Sequence, residues 1–157
     1  MAWYVIAIIA AVIAAGASIV HYQFFYVQAI NEKKQEVVSQ WIAIPHSKAV
    51  VRILEGASLQ SSPKFLEPQN ATVILGINNT VLWMNEDNVP QAITSDSDYK
   101  DPVSGKFDTR ERPEAAGGPF IMPRQTYEFT FTQPGRYGYH GEPHPWLQGT
   151  IIVLDAQ

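Results

Sequence analysis

Two imidazoles and a carboxylate stand at alternate positions near the end of the chain, in Tyr137-Gly138-Tyr139-His140-Gly141-Glu142-Pro143-His144-Pro145-Trp146-Leu147-Gln148-Gly149. Alternate side chains on an extended strand share a face, so His140, Glu142 and His144 form one candidate site for copper or zinc. Pro143 and the turn-prone residues beside it work against that geometry. The other two histidines are His21, beside an apolar run, and His46, which follows Pro45 and has no evident partner. The chain has no cysteine. Disulfides, CxxC redox motifs, iron–sulfur ligation and thiolate-bridged copper are therefore excluded. With 15 acidic against 11 basic residues and a net charge of −4, there is no electrostatic footprint for nucleic acid. No nucleophile elbow, phosphate loop or dinucleotide fingerprint is present, and the chain is expected not to be an enzyme.

The elements that must position these residues read as β-strands. From Lys48 onward, short β-rich runs alternate with turn residues: Ala49–Leu54, Ala71–Leu75, Thr80–Met84, Gln91–Ser95, Tyr127–Thr132, Arg136–His140 and Thr150–Leu154. About seven strands in roughly a hundred residues fit an all-β Greek-key sandwich. The long segment 96–123 is mixed in charge. Asp96, Asp98 and Asp101 resemble part of a calcium loop, but the glycine and terminal glutamate of such a loop are missing. Lys100, Lys106, Arg110 and Arg112 balance the acids, which predicts a solvated loop. Its length suggests a binding element. Asn70-Ala71-Thr72 and Asn78-Asn79-Thr80 are glycosylation sequons.

The final motif closely resembles the C-terminal ligand loop of plastocyanin-like cupredoxins, written Y-x-Y-x-C-x-x-H-P-x-M-x-G. The resemblance extends from about Val50 to Leu154. It includes Val81-Leu82-Trp83-Met84-Asn85-Glu86-Asp87, Val89-Pro90-Gln91-Ala92-Ile93-Thr94-Ser95-Asp96, Ser104-Gly105-Lys106-Phe107-Asp108 and Phe129-Thr130-Phe131-Thr132-Gln133-Pro134-Gly135-Arg136-Tyr137. In wording it is most similar to the plastocyanin-like proteins of ammonia-oxidising archaea. What the resemblance implies is a cupredoxin-like sandwich in which Gln91, Gly141, His144 and Leu147 occupy the four type 1 copper positions. Such a centre needs two imidazoles, a thiolate and a weak axial thioether. One of those four ligands, His144, remains here. Leucine for methionine keeps apolar volume, so the pattern reads as a site turned into packing. Type 1 copper is expected to be lost and no cofactor to be held, with weak copper binding by His140, Glu142 and His144 as the alternative.

Ahead of the sandwich, Ala2 to Val20 carries no charged residue. A run of that length spans the hydrocarbon layer as a helix. Trp3 and Tyr4 at one end and Tyr22 and Tyr26 at the other suit the two interfaces. A cleaved signal peptide is the rival, because Ala15-Gly16-Ala17 resembles a cleavage site, but the run lacks a basic n-region. The expected organisation is a transmembrane helix over 1–30, a juxtamembrane helical stalk over 31–47 and a cupredoxin-like domain over 48–157. Lys33 and Lys34 alone would place that domain inside by the positive-inside rule; the resemblance places it on the extracytoplasmic side, which is the reading adopted. Val37, Val38, Trp41 and Ile44 form an apolar stripe that packs either on the chain's own domain or on another subunit. The resulting expectation is a single-pass membrane accessory subunit of a membrane oxidase or ammonia-oxidising complex. Its partners would be other membrane subunits, met through the transmembrane helix, the stalk and the loop 96–123. An electron carrier with an atypical copper site, and a copper chaperone or sensor, are the alternatives.

Overall fold

The computed structural model describes residues 3, 4, 16 and 18–156. It divides into two compact units, Met1–Gln40 and Trp41–Gln157. A π-helical stretch, Tyr22–Val27, runs into the helix α1, Gln28–Ala43, whose last three residues are counted with the second unit. No glycine or proline interrupts this segment, and its straight-chain residues favour a helix. Tyr22, Phe24, Phe25 and Tyr26 are exposed, as are Val37 and Val38. Among the described residues no helix is long and apolar enough to cross a membrane. Most of the uncharged run from Ala2 to Val20, on which the transmembrane expectation rests, lies outside the described residues.

The second unit is a two-sheet sandwich. One sheet has the order β2-β1-β4-β8, from Leu66–Glu67, Lys48–Ile53, Thr80–Asn85 and Thr126–Thr130. The other has the order β3-β10-β9-β5, from Asn70–Ile74, Gln148–Leu154, Gly135–Glu142 and Ala92–Ser95. A two-stranded ribbon, β6 (Lys100–Asp101) with β7 (Gly105–Lys106), completes it. Period-two patterning drives the inward faces: Tyr127 and Phe129 on β8, Tyr137, Tyr139 and Gly141 on β9, and Gly149, Ile151 and Val153 on β10 are all buried. Trp83 lies at the centre. Its ring meets Phe107 at 5.3 Å, Tyr127 at 5.5 Å and Tyr139 edge-on at 5.5 Å. Such offset and edge-on pairs add to the area they bury. Burial pushes the Tyr139 phenol up to about 12.

The sequence-based strands all appear, with ends that shift by one or two residues. The fourth begins at Ala92 rather than Gln91, because Gln91 forms an isolated bridge with Ile121. The sixth continues past His140 to Glu142. The segment 96–123 is less of a solvated loop than its charges predict. Phe107, Thr109 and Ile121 are fully buried, and Asp101 is nearly so. The Asp101 carboxylate accepts hydrogen bonds from the Tyr99 hydroxyl, the Val103, Ser104 and Thr132 amides and the Thr132 hydroxyl. That satisfies its lone pairs and ties the ribbon to the end of β8. The three acids do not converge as a calcium loop would require: Asp96 meets His140, Asp98 pairs with Lys106, and Asp101 is spent on internal donors.

Where the chain enters the sandwich, one side chain closes the backbone accounts. Asn79 is fully buried; its Nδ2 donates to the Ile42 and Phe131 carbonyls, each at 2.7 Å, while its Oδ1 accepts from the Gly76 amide at 2.9 Å. Gly76 needs a positive φ of 73° at that turn. Replacing Asn79 with alanine strands three main-chain groups at once. A loss of about 2–3 kcal/mol in denaturant unfolding is expected; a variant as stable as the parent would show that these bonds are readily replaced by water.

Candidate functional site

The pairing of β5 with β9 decides what meets what. In that antiparallel ladder Ala92 lies opposite Glu142 and Ile93 opposite Gly141. Gln91, just before β5, therefore arrives beside His144, just after β9, although 53 residues separate them. The Gln91 backbone is held on its other side by reciprocal bonds with Ile121, 3.0 Å and 2.8 Å long.

Gln91 is fully buried and both ends of its amide are engaged. Its Nε2 donates to Asp87 Oδ2 at 3.0 Å, and its Oε1 lies 3.0 Å from His144 Nδ1. Asp87 also accepts from the amides of Gly56, Ser58 and Asn88. Burial pushes the Asp87 carboxyl up, but the donors from Ser58, Asn88 and Gly56 together outweigh it and hold the group below the usual carboxylate range. An ionised carboxylate only accepts, so the amide nitrogen of Gln91 must face it. The carbonyl oxygen then faces His144, and Nδ1 of His144 must carry a proton. Its lone pair is not available to a metal in that arrangement.

The neighbouring positions are closed as well. Leu147 is fully buried. The Gly141 amide donates to the Leu147 carbonyl at 2.7 Å, and the Leu147 amide to the His144 carbonyl at 3.0 Å, which cinches the turn between β9 and β10. A Cβ built at Gly141 would meet the His144 carbonyl oxygen at 3.0 Å and Leu147 Cβ at 3.1 Å. The space a side chain at 141 would use is thus filled by Leu147 and main chain. Trp146, whose ring lies 5.4 Å from that of His144, donates to the Ala57 carbonyl at 3.0 Å and closes the turn against the 55–58 segment.

Of the alternative trio, His140 and Glu142 do share a face of β9, with 3.8 Å between His140 Nε2 and Glu142 Oε1. His140 Nδ1 is taken by Asp96 at 2.6 Å, and Glu142 by Arg110 at 2.5 Å. Arg110 in turn forks onto Asp108. Burial pushes the Asp108 carboxyl up, and the Arg110 guanidinium and the Arg110 amide bring it below its ordinary value. His144 turns inward to Gln91, away from this row. Among the described residues no three His, Asp or Glu side chains are grouped to hold a metal ion. Sequence reasoning missed Asp87, the residue that orients Gln91. Its only signal is its place in Asn85-Glu86-Asp87, two residues after a strand, where an Asx side chain caps turn amides.

Comparison with known proteins fits this architecture. The family model described as copper binding proteins, plastocyanin/azurin family, matches residues 57–154. This chain belongs to that family. Amicyanin from Paracoccus denitrificans is 27% identical over 105 residues, spanning 67% of this chain and 71% of that protein. Amicyanin from Paracoccus versutus is 29% identical over 90 residues, 57% of this chain and 58% of that protein. Among solved structures, a purple cupredoxin from Nitrosopumilus maritimus superposes with a TM-score of 0.51 at 26% identity, covering 68% of this chain and 99% of that one. The plastocyanin-like resemblance is thereby borne out, and the chain is a cupredoxin.

Membership corrects the expectation that no cofactor is held. Substituted ligands do not make a protein cofactor-free, and the family to which the chain belongs is one of copper-binding proteins. The narrower statement concerns donor chemistry. A type 1 centre requires a thiolate, and this cupredoxin has no cysteine, a glycine at 141, a leucine at 147 and a glutamine at 91. These residues do not fit that centre.

Two outcomes follow from the geometry. Asp87 and Asp108 bind protons less readily in the folded than in the unfolded chain, so stability is complete above the unfolded carboxyl value near pH 4 and is lost as pH falls through the lower folded values. Thermal midpoints should be flat between about pH 5 and 7 and fall below about pH 4. In Asp87→Asn the fall should be shallower; an unchanged slope would remove Asp87 from the account. The triple variant Gln91→His, Gly141→Cys, Leu147→Met should show an intense visible thiolate-to-copper(II) band on loading, since the 3.0 Å and 3.1 Å contacts ask the His144 carbonyl and the Cβ at 147 to give only a few tenths of an ångström. A colourless triple variant would mean that the His144 carbonyl does not yield the few tenths of an ångström a Cβ needs.

Proposed function

We propose that this cupredoxin is a non-catalytic accessory subunit of a membrane oxidase or ammonia-oxidising complex, held at the membrane by its N-terminal segment with the sandwich on the extracytoplasmic side. Membership of a family of copper-binding proteins supports a carrier-class, non-catalytic reading. Within that class, the observation that carries the accessory reading is the chain from buried Asp87 and Gln91 to half-buried His144, which makes a packed, hydrogen-bonded end of the sandwich where a type 1 centre would need open donors. A fixed end of this kind is suited to holding surface rather than to exchanging electrons. The partners would be other membrane subunits, met through the N-terminal segment, the stretch 31–47 with its exposed Val37, Val38 and Trp41, and the segment 96–123 with its exposed Phe120 and Met122. Exposed apolar side chains in such groups mark interaction surfaces.

A second reading rests on the family itself: electron transfer through a copper bound by donors other than the type 1 set. Copper content, visible absorption and paramagnetic resonance on the purified chain separate the two, because a stoichiometric, reversibly reduced copper would favour the carrier. Purification from native membranes in mild detergent is the direct test of the accessory role. Stable, stoichiometric co-migration with other membrane subunits is expected; a chain that migrates alone would sink it.

A further inference from the structure

The two sequons differ sharply in the fold. Asn78 is half-buried and its Oδ1 accepts from the Ile74 amide at 2.7 Å. The Thr80 hydroxyl of the same sequon is almost entirely buried and bonded to the Thr130 hydroxyl at 2.7 Å. Neither the amide nor the hydroxyl can be engaged by an enzyme without dismantling the turn and the start of β4. The other sequon opens β3, whose pattern is exposed at Asn70, buried at Ala71 and exposed at Thr72. Residues two apart on a strand share a face, so the Asn70 amide and the Thr72 hydroxyl project to the same solvent-facing side. β3 is also an edge strand, paired only with β10.

We propose that Asn70 is an N-glycosylation site and that Asn78 is not, an inference that rests on the extracytoplasmic placement given above. The reaction is transfer of an oligosaccharide from a lipid phosphate or pyrophosphate donor. Nδ2 of Asn70 forms the bond to the sugar C1 and gives up one proton, which ends on the leaving lipid phosphate. The C1–O bond to the lipid phosphate breaks, and the leaving phosphate takes the electron pair. Ala71 faces the core and is undisturbed by the product. A glycan on Asn70 stands beside the open edge of the second sheet, where unpaired backbone groups otherwise invite strand addition.

The test is intact mass with electron-transfer fragmentation on the full chain purified from its native membranes, alongside protease accessibility of the sandwich in right-side-out vesicles. A glycan on Asn70 and none on Asn78 is expected, lost in Asn70→Gln and in Thr72→Ala and kept in Asn78→Gln. Both Asn70 and Thr72 are exposed, so these variants leave the core intact. A sandwich that external protease reaches but whose Asn70 is bare overturns this inference alone, as does a glycan confined to Asn78. A sandwich shielded from external protease overturns the placement, and the glycan with it.

Discussion

A single buried carboxylate sets the character of one end of this molecule. Asp87 has almost no contact with water and is surrounded by donors. Once it is ionised, every group around it has a prescribed orientation. It compels the Gln91 amide to present nitrogen on one side and oxygen on the other, and the oxygen compels the His144 ring to present N–H. The proton position on His144 is thus decided by a residue that does not touch it. A carboxylate with too few donors would instead take up a proton and release the chain of orientation. The three amides from the 55–58 and 87–88 turns keep that from happening at neutral pH.

Packing reinforces the same outcome by an independent route. Leu147 fills the space beside Gly141, and the cinched turn between β9 and β10 brings the His144 carbonyl within 3.0 Å of where a side chain would start. The substitutions at 91, 141 and 147 are mutually consistent: the glutamine satisfies the histidine, the glycine admits the leucine, and the leucine seals the core. A side chain at 141 alone would meet a crowded contact, and loss of the glutamine alone would take a polar partner from both Asp87 and His144.

Much of this was legible beforehand because alternation and turn residues are local signals. The inward Tyr137 and Tyr139 and the existence of β3, β4, β8 and β10 follow from period-two patterning, while their ends shift by one or two residues. The meeting of Gln91 with His144 was indicated by a motif rather than by periodicity, since pairing of β5 with β9 is a non-local fact. Asp87, Asn79 and Asp101 carried no such signal. Each looks like an ordinary surface polar residue until the turns it satisfies are folded around it. The segment 96–123 misled for a related reason: its charges pair with one another on the outside, while Phe107, Thr109 and Ile121, spaced too irregularly to show a period, enter the core.

The register also fixes where the chain joins the sandwich relative to this end. β9 runs toward Glu142 and the Gln91–His144 contact, while β10 returns from Gln148 to Leu154. β3 lies parallel to β10, with Ile74 beside Leu154, so the turn after β3 sits at the opposite end. That turn holds Asn79, and Asn79 binds the Ile42 carbonyl. Residues 41–44 therefore join the domain at the end remote from His144.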